Sequence, residues 1–236
     1  MTSVTGIVMN PQLATEQTLR YAEGLRELYA RERAQRNRAE RALDQLGEAY
    51  GATVVALSVA LELRDDQTGG HAERVTRIAL DLAQAVAPDL APEPELEYGF
   101  LLHDLGKIGI PDAILLKPGP LTDDERAVIR SHPGLGERIV TRIPFLGALA
   151  RDVIACHHER WDGSGYPGGL AGEEIPLPAR MFAFADSWDA MTNDRPYRAA
   201  LTFEAAAREI EAGRGGQFDP ELVDPFLELV SRRRAA

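Results

Sequence analysis

The chain has five histidines, His71, His103, His132, His157 and His158. A lone histidine is most often a packed or solvated residue, but these keep unusual company. His103 precedes Asp104 inside the apolar run Phe100-Leu101-Leu102-His103-Asp104-Leu105, and His157-His158 follows Val153-Ile154-Ala155-Cys156. Asp186 lies in Met181-Phe182-Ala183-Phe184-Ala185-Asp186-Ser187-Trp188, another segment that reads as buried. An ionised carboxylate in such surroundings is costly without a partner. A salt bridge would satisfy either aspartate singly. Divalent cations account for the whole set, because imidazole nitrogens and carboxylate oxygens are the ligands of zinc, iron, manganese and nickel. The five histidines and two aspartates exceed what one ion takes from protein. Two ions sharing Asp104 would use them all and leave positions for water, an arrangement suited to in-line displacement at phosphorus.

Three cations could serve that chemistry. Lys107 follows His103 by four residues and shares its face if the helix continues that far. It would set an ammonium beside a phosphate, or simply favour a helix terminus. Arg195 and Arg198, within Asp194-Arg195-Pro196-Tyr197-Arg198, could grip phosphate oxygens through planar forks or stand as surface arginines. The single cysteine, Cys156, excludes an intramolecular disulfide framework and a cysteine-rich zinc site, and is assigned to packing.

Helices must position these groups. From about Leu13 to Arg64 the chain lacks proline and reads as one long helix, with apolar positions including Leu19, Leu25, Leu28, Leu43 and Leu46. Its seam thins to alanine between Arg31 and Arg41, while Glu and Arg crowd the other faces as on a solvated coiled coil. Such a helix pairs with a second subunit or packs on its own domain. Shorter helical patterns follow at roughly 71–87, 94–106, 122–142, 146–159, 178–192, 202–212 and 220–232. Thr122 with Glu125 forms a capping-box signature, Asp219-Pro220 sets an N-cap before a first-turn proline, and Gly106, Gly109 and Pro111 stop the helix holding His103. Sustained period-two alternation is missing, so the fold class is all-α. Trp161 to Pro178 is a long glycine- and proline-rich loop of the kind that carries function.

Composition bounds what this chemistry serves. With 236 residues, 44% apolar and 27% charged, the chain is long enough for a sizeable core. Its 26 basic and 37 acidic residues give a net charge of −11, which disfavours nucleic acid or an anionic membrane as partner. A small anion held by local positive charge remains compatible. Gly51 to Leu63, the longest strongly apolar stretch, is too short for a membrane span, and the first residues lack a basic region and a long apolar core; a cytoplasmic location is expected.

The motifs then form an ordered series: Thr68-Gly69-Gly70-His71-Ala72-Glu73-Arg74-Val75, Leu102-His103-Asp104-Leu105-Gly106-Lys107-Ile108-Gly109-Ile110-Pro111-Asp112, His132-Pro133, and His157-His158-Glu159-Arg160-Trp161-Asp162-Gly163-Ser164-Gly165-Tyr166-Pro167. Ala185-Asp186-Ser187-Trp188-Asp189-Ala190-Met191-Thr192 and Asp194 to Arg198 complete it. From about 52 to 230 the chain resembles the HD-GYP phosphodiesterases of bacterial cyclic di-GMP signalling, of the HD phosphohydrolase superfamily. The resemblance implies an HD-type helical domain, placed at 51–236, and the long helix read above leaves residues 1–50 as a helical element that dimerises or signals. It implies metal-dependent hydrolysis of cyclic di-GMP to the linear dinucleotide pGpG, and in some members to GMP. His71, His103, Asp104 and Asp186 match ligands of one metal ion, and His132, His157 and His158 those of a second, with Asp104 bridging. The resemblance favours iron or manganese, with nickel and zinc compatible.

Lys107, Arg195 and Arg198 match positions that contact substrate phosphate, and Gly165-Tyr166-Pro167 matches a signature loop associated with the rim of the site and with protein partners. Some members hold a third metal through a glutamate four residues before the position of His71; here Gln67 stands there. An amide is a weaker, uncharged ligand, so a dinuclear centre and a pGpG product are expected. The rivals are a non-catalytic sensor or scaffold, and a phosphodiesterase for another cyclic dinucleotide.

Overall fold

A computed structural model describes residues 11–64, 69–194 and 199–235; Gln67, Arg195 and Arg198 lie outside the described residues. The chain divides into two compact units, Met1–Gly51 and Ala52–Ala236. Helix α1 (Pro11–Arg64) supplies all the described structure of the first. There Leu19, Tyr21, Leu28, Tyr29 and Leu43 are each more than half exposed, beside the i,i+4 pairs Arg31–Glu27 and Arg36–Glu40.

The second unit contains the last residues of α1 and nine further helices among the described residues: α2 (His71–Val86), α3 (Pro94–Leu101), α4 (Asp112–Leu115), α5 (Asp123–Ile129), α6 (His132–Val140), α7 (Ala148–Cys156), α8 (Leu177–Thr192), α9 (Phe203–Ala212) and α10 (Pro220–Ala235). A 3₁₀ turn at Leu105–Gly109 follows α3. The described residues contain no strand, only the isolated bridges Asp162–Ala171 and Arg214–Phe218. The all-α expectation holds.

Helix α8 is apolar on most faces because it runs through the middle, with Met181, Phe182, Ala183, Phe184, Ala185 and Trp188 buried. One core packs it against Val75, Ala79 and Leu82 of α2, Phe100 of α3, Ile210 of α9 and Phe226 of α10. A second joins Val54 to Leu101, Leu102, Leu105, Val140, Ala150 and Ile154. Each large side chain so buried contributes about 1.5–3 kcal/mol. The capping box at Thr122 and Glu125 forms, and Asp219 accepts the Glu221 amide at the start of α10.

Two expectations require correction. Helix α3 ends at Leu101 rather than near 106, so His103, Asp104 and Lys107 sit on a turn. The pattern read as 122–142 is two helices, broken at Arg130 and Ser131, because Pro133 has no N–H to donate to the Ile129 carbonyl four residues earlier, which accepts from His132 Nδ1 instead. Helix α1 contains an 18-residue window of mean hydropathy 1.4 that is long and apolar enough to cross a bilayer by length and composition alone, which for a single helix is weak evidence of a span. A core helix passes the same test, and the end of α1 does pack: Val54 and Ser58 are buried, and Arg64 donates to the Lys107 and Ile110 carbonyls and to Asp112.

Candidate metal centre

The turn after α3 carries Asp104 into contact with α6. A Cβ on Gly106 would collide with the His132 carbonyl and the Gly136 amide, so only glycine permits this approach. Helix α6 opens on His132, α7 runs into His157 and His158, α2 opens on His71, and α8 contributes Asp186. Four of the expected ligands form one tight group: donor atoms of Asp104, His132, His157 and His158 lie within 4.8 Å of one another. His103, His71 and Asp186 adjoin it, with His103 Nε2 3.1 Å from Asp104 Oδ2 and His71 Nε2 3.5 Å from Asp186 Oδ1.

Asp104 faces two ways. Its Oδ2 meets His103 and, at 2.8 Å, Lys107 Nζ. Its Oδ1 lies 3.2 Å from His132 Nε2 and 3.8 Å from His157 Nε2. Lys107 thus arrives through a 3₁₀ turn instead of the helix expected.

The imidazoles are oriented by acceptors on their outer edges. His103, His132 and His157 each place Nδ1 against the carbonyl three residues earlier, Phe100 at 2.9 Å, Ile129 at 2.7 Å and Ile154 at 3.0 Å. His71 Nδ1 meets Asp189 Oδ2 at 2.7 Å. A carbonyl oxygen only accepts, so Nδ1 carries the hydrogen and Nε2 turns a lone pair inward. His132 Nε2 and His157 Nε2 are then 3.1 Å apart with lone pairs opposed. A cation between them would convert that repulsion into coordination, so this donor set fits a divalent metal.

Electrostatics agree. Burial pulls the His157 pKa well down, aided by His158 and His103, and takes His158 to about 4 with help from His132. Both are therefore neutral imidazoles at pH 7. Burial alone would raise Asp104, but Lys107 and His103 outweigh it and hold its carboxyl well below the usual range. Burial opposes a charged His103 as well, yet Asp104 and Asp186 raise its pKa.

The signature loop closes one side. Glu159, buried after the histidine pair, accepts the Gly168 and Leu170 amides, and a Cβ on Gly165 would strike backbone atoms of His158, Glu159 and Arg160. The Tyr166 ring stacks on His158 with centroids 4.7 Å apart, and the Arg130 guanidinium lies 5.1 Å from its centre. Burial pushes the Tyr166 hydroxyl up to about 12, so it stays protonated. A cavity of about 190 Å³ opens here, its wall including Arg130, His158, Tyr166, Asp186 and Gln217. Burial raises the Cys156 thiol to about 11, consistent with a packing role.

Sequence reasoning missed Arg130 and Asp189. Arg130 was hidden by reading α5 and α6 as one helix, although its place two residues before His132 was a usable signal. Asp189 carried no local signal, since its partner is 118 residues away.

An all-helical domain whose histidines and aspartates converge on a buried, outward-braced donor cluster defines a class of cation-binding helical proteins. Residues 56–222 match the HD domain model, and the chain belongs to that family. It is 44% identical over 175 residues to a "Cyclic di-GMP phosphodiesterase" of Thermotoga maritima, covering 73% of this chain and 47% of the relative. It is 38% identical over 184 residues to a "3'3'-cGAMP-specific phosphodiesterase 2" of Vibrio cholerae, covering 78% and 35%. This chain thus spans about half or less of these relatives' length. A solved structure described as an HDG"Y"P protein from Bdellovibrio bacteriovorus superposes with a TM-score of 0.54 at 21% identity, over 68% of this chain and 51% of that one. That likeness concerns the fold.

Proposed function

We propose that this chain is a metal-dependent phosphodiesterase that hydrolyses cyclic di-GMP to pGpG at a dinuclear centre in the cytoplasm. The observation that carries the reading is the two-sided placement of Asp104, one oxygen toward His103 and the other toward His132 and His157. In this reading His71, His103, Asp104 and Asp186 hold one ion, and Asp104, His132, His157 and His158 the other, with iron or manganese preferred over nickel or zinc. Such ions, when bound, lower the pKa of water and neutralise charge developing in an in-line phosphoryl displacement.

The protein's own groups do the remaining work. The buried, neutral His157 and His158 present lone pairs without competing for a proton. Lys107 supplies a positive charge beside Asp104, where it would hold a substrate phosphate oxygen, and either Lys107 or a protonated water would give a proton to the departing alkoxide. Arg195 and Arg198 are proposed to hold further phosphate oxygens, and Gly165-Tyr166-Pro167 to shape the rim and receive a protein partner. The exposed leucines of α1 support a homodimer through that helix.

The decisive experiment measures hydrolysis of cyclic di-GMP by metal-reconstituted protein, resolved by product, beside His103→Ala and Asp104→Ala. Parent turnover accumulating pGpG, lost in both variants, is the expected result. Folded, metal-loaded parent without turnover on any cyclic dinucleotide would overturn the reading in favour of a sensor. The cGAMP-specific relative favours a second reading, in which the same centre acts on 3'3'-cGAMP. Parallel assays with both substrates separate the two.

A further inference from the structure

His71 differs from the other braced histidines in the kind of group behind it. His103, His132 and His157 lean on main-chain carbonyls, whereas His71 leans on a carboxylate that is itself immobilised. Asp189 is 3% exposed. Its Oδ2 accepts from His71 Nδ1 at 2.7 Å and Arg74 Nη2 at 3.1 Å, and its Oδ1 from Arg74 Nε at 2.7 Å and Asn193 Nδ2 at 2.8 Å. The carboxylate plane is fixed on both edges, and with it the direction in which His71 points.

An imidazole that donates to a carboxylate is a more basic ligand through its other nitrogen than one donating to a neutral carbonyl. We propose that Asp189 is a positioning residue that acts through His71 to set how tightly the His71–His103–Asp186 half of the centre holds its cation, independently of the His132–His157–His158 half. The inference rests on the dinuclear reading above. A purely structural role is the alternative, since the Arg74–Asp189 pair also ties α2 to α8. The two roles separate at Arg74: removing it breaks the ion pair but leaves the Asp189–His71 hydrogen bond and the Asn193 brace.

The test titrates manganese(II) into metal-free parent, Asp189→Ala, Asp189→Asn and Arg74→Gln, with stoichiometry and affinity read by calorimetry and folding by thermal melting. The parent is expected to take two equivalents. In Asp189→Ala one equivalent keeps parental affinity and the other weakens about 10–100-fold. Asp189→Asn, which keeps an accepting oxygen but no charge, falls between and keeps the proposal testable should the alanine variant unfold. Arg74→Gln lowers the melting temperature while both affinities stay within about threefold of the parent. Parental affinity at both sites in the Asp189 variants, equal weakening at both, or an Arg74→Gln loss matching Asp189→Ala would overturn the proposal. Parent stoichiometry tests the dinuclear reading separately: a single equivalent there removes that reading and the claim of independent halves with it.

Discussion

Arg130 is a cation at the cavity beside His158 without a carboxylate partner among the described residues, its guanidinium resting on Tyr166. Arg160, in the same wall, is already committed to Asp162 and Ser164. A dinucleotide brings two phosphates, and only one can sit beside Asp104, so a second cation on the far side has a task. Arg130→Ala is expected to raise KM for cyclic di-GMP about tenfold, the loss of one charge-assisted hydrogen bond, with kcat and bound metal at parental levels. Arg130→Lys should recover part of that. Steady-state kinetics with metal analysis checks it, and an unchanged KM would place the second phosphate elsewhere. Of the proposed ligands, Asp104, Asp186 and the His157-His158 pair were legible in sequence for a physical reason: a carboxylate in an apolar run, or paired histidines behind one, needs a partner. The braces of the histidines were not legible, because Asp189 meets His71 only through the fold, and Phe100, Ile129 and Ile154 act through main-chain atoms that residue type does not reveal.

At the level of elements, periodicity located α2 and α7 to α10 well but misread the stretches that build the site. The segment 94–106 looked helical because Phe100, Leu101, Leu102 and Leu105 are apolar, yet Leu102 and Leu105 serve the second core from a turn. The break between α5 and α6 likewise lets His132 begin a helix whose flank abuts Gly106. This abutment gives a sharp contrast between two glycines. Gly106→Ala is expected to cost about 1–3 kcal/mol and to loosen cation binding, because its Cβ would displace the His132 backbone. Gly134→Ala, whose Cβ meets nothing within 4 Å inside α6, should melt at or above the parent temperature, since alanine is the better helix former. Thermal melts of the metal-free proteins distinguish them. Equal melting of the two variants would show that the turn yields easily.

For the whole molecule, a net charge of −11 makes Lys107 beside Asp104 and Arg130 at the cavity wall local exceptions to the general field, which suits a small dianion better than a polyanion. The proposed homodimer makes its own prediction. The full chain should sediment as a dimer, and Leu28→Asp, at a side chain 61% exposed on α1, should shift it toward monomer. A parent that stays monomeric at all concentrations would leave those leucines to another partner. The braces behind the histidines also bear on how such a centre changes over generations. Three are peptide carbonyls, present whatever residue occupies the position, so substitution there cannot delete them. The fourth depends on a side chain at position 189. If Asp189 acts as proposed, drift can detune one half of this centre through one site while every proposed ligand stays in place, and a sister protein inspected for its histidines alone would look intact after that half had loosened.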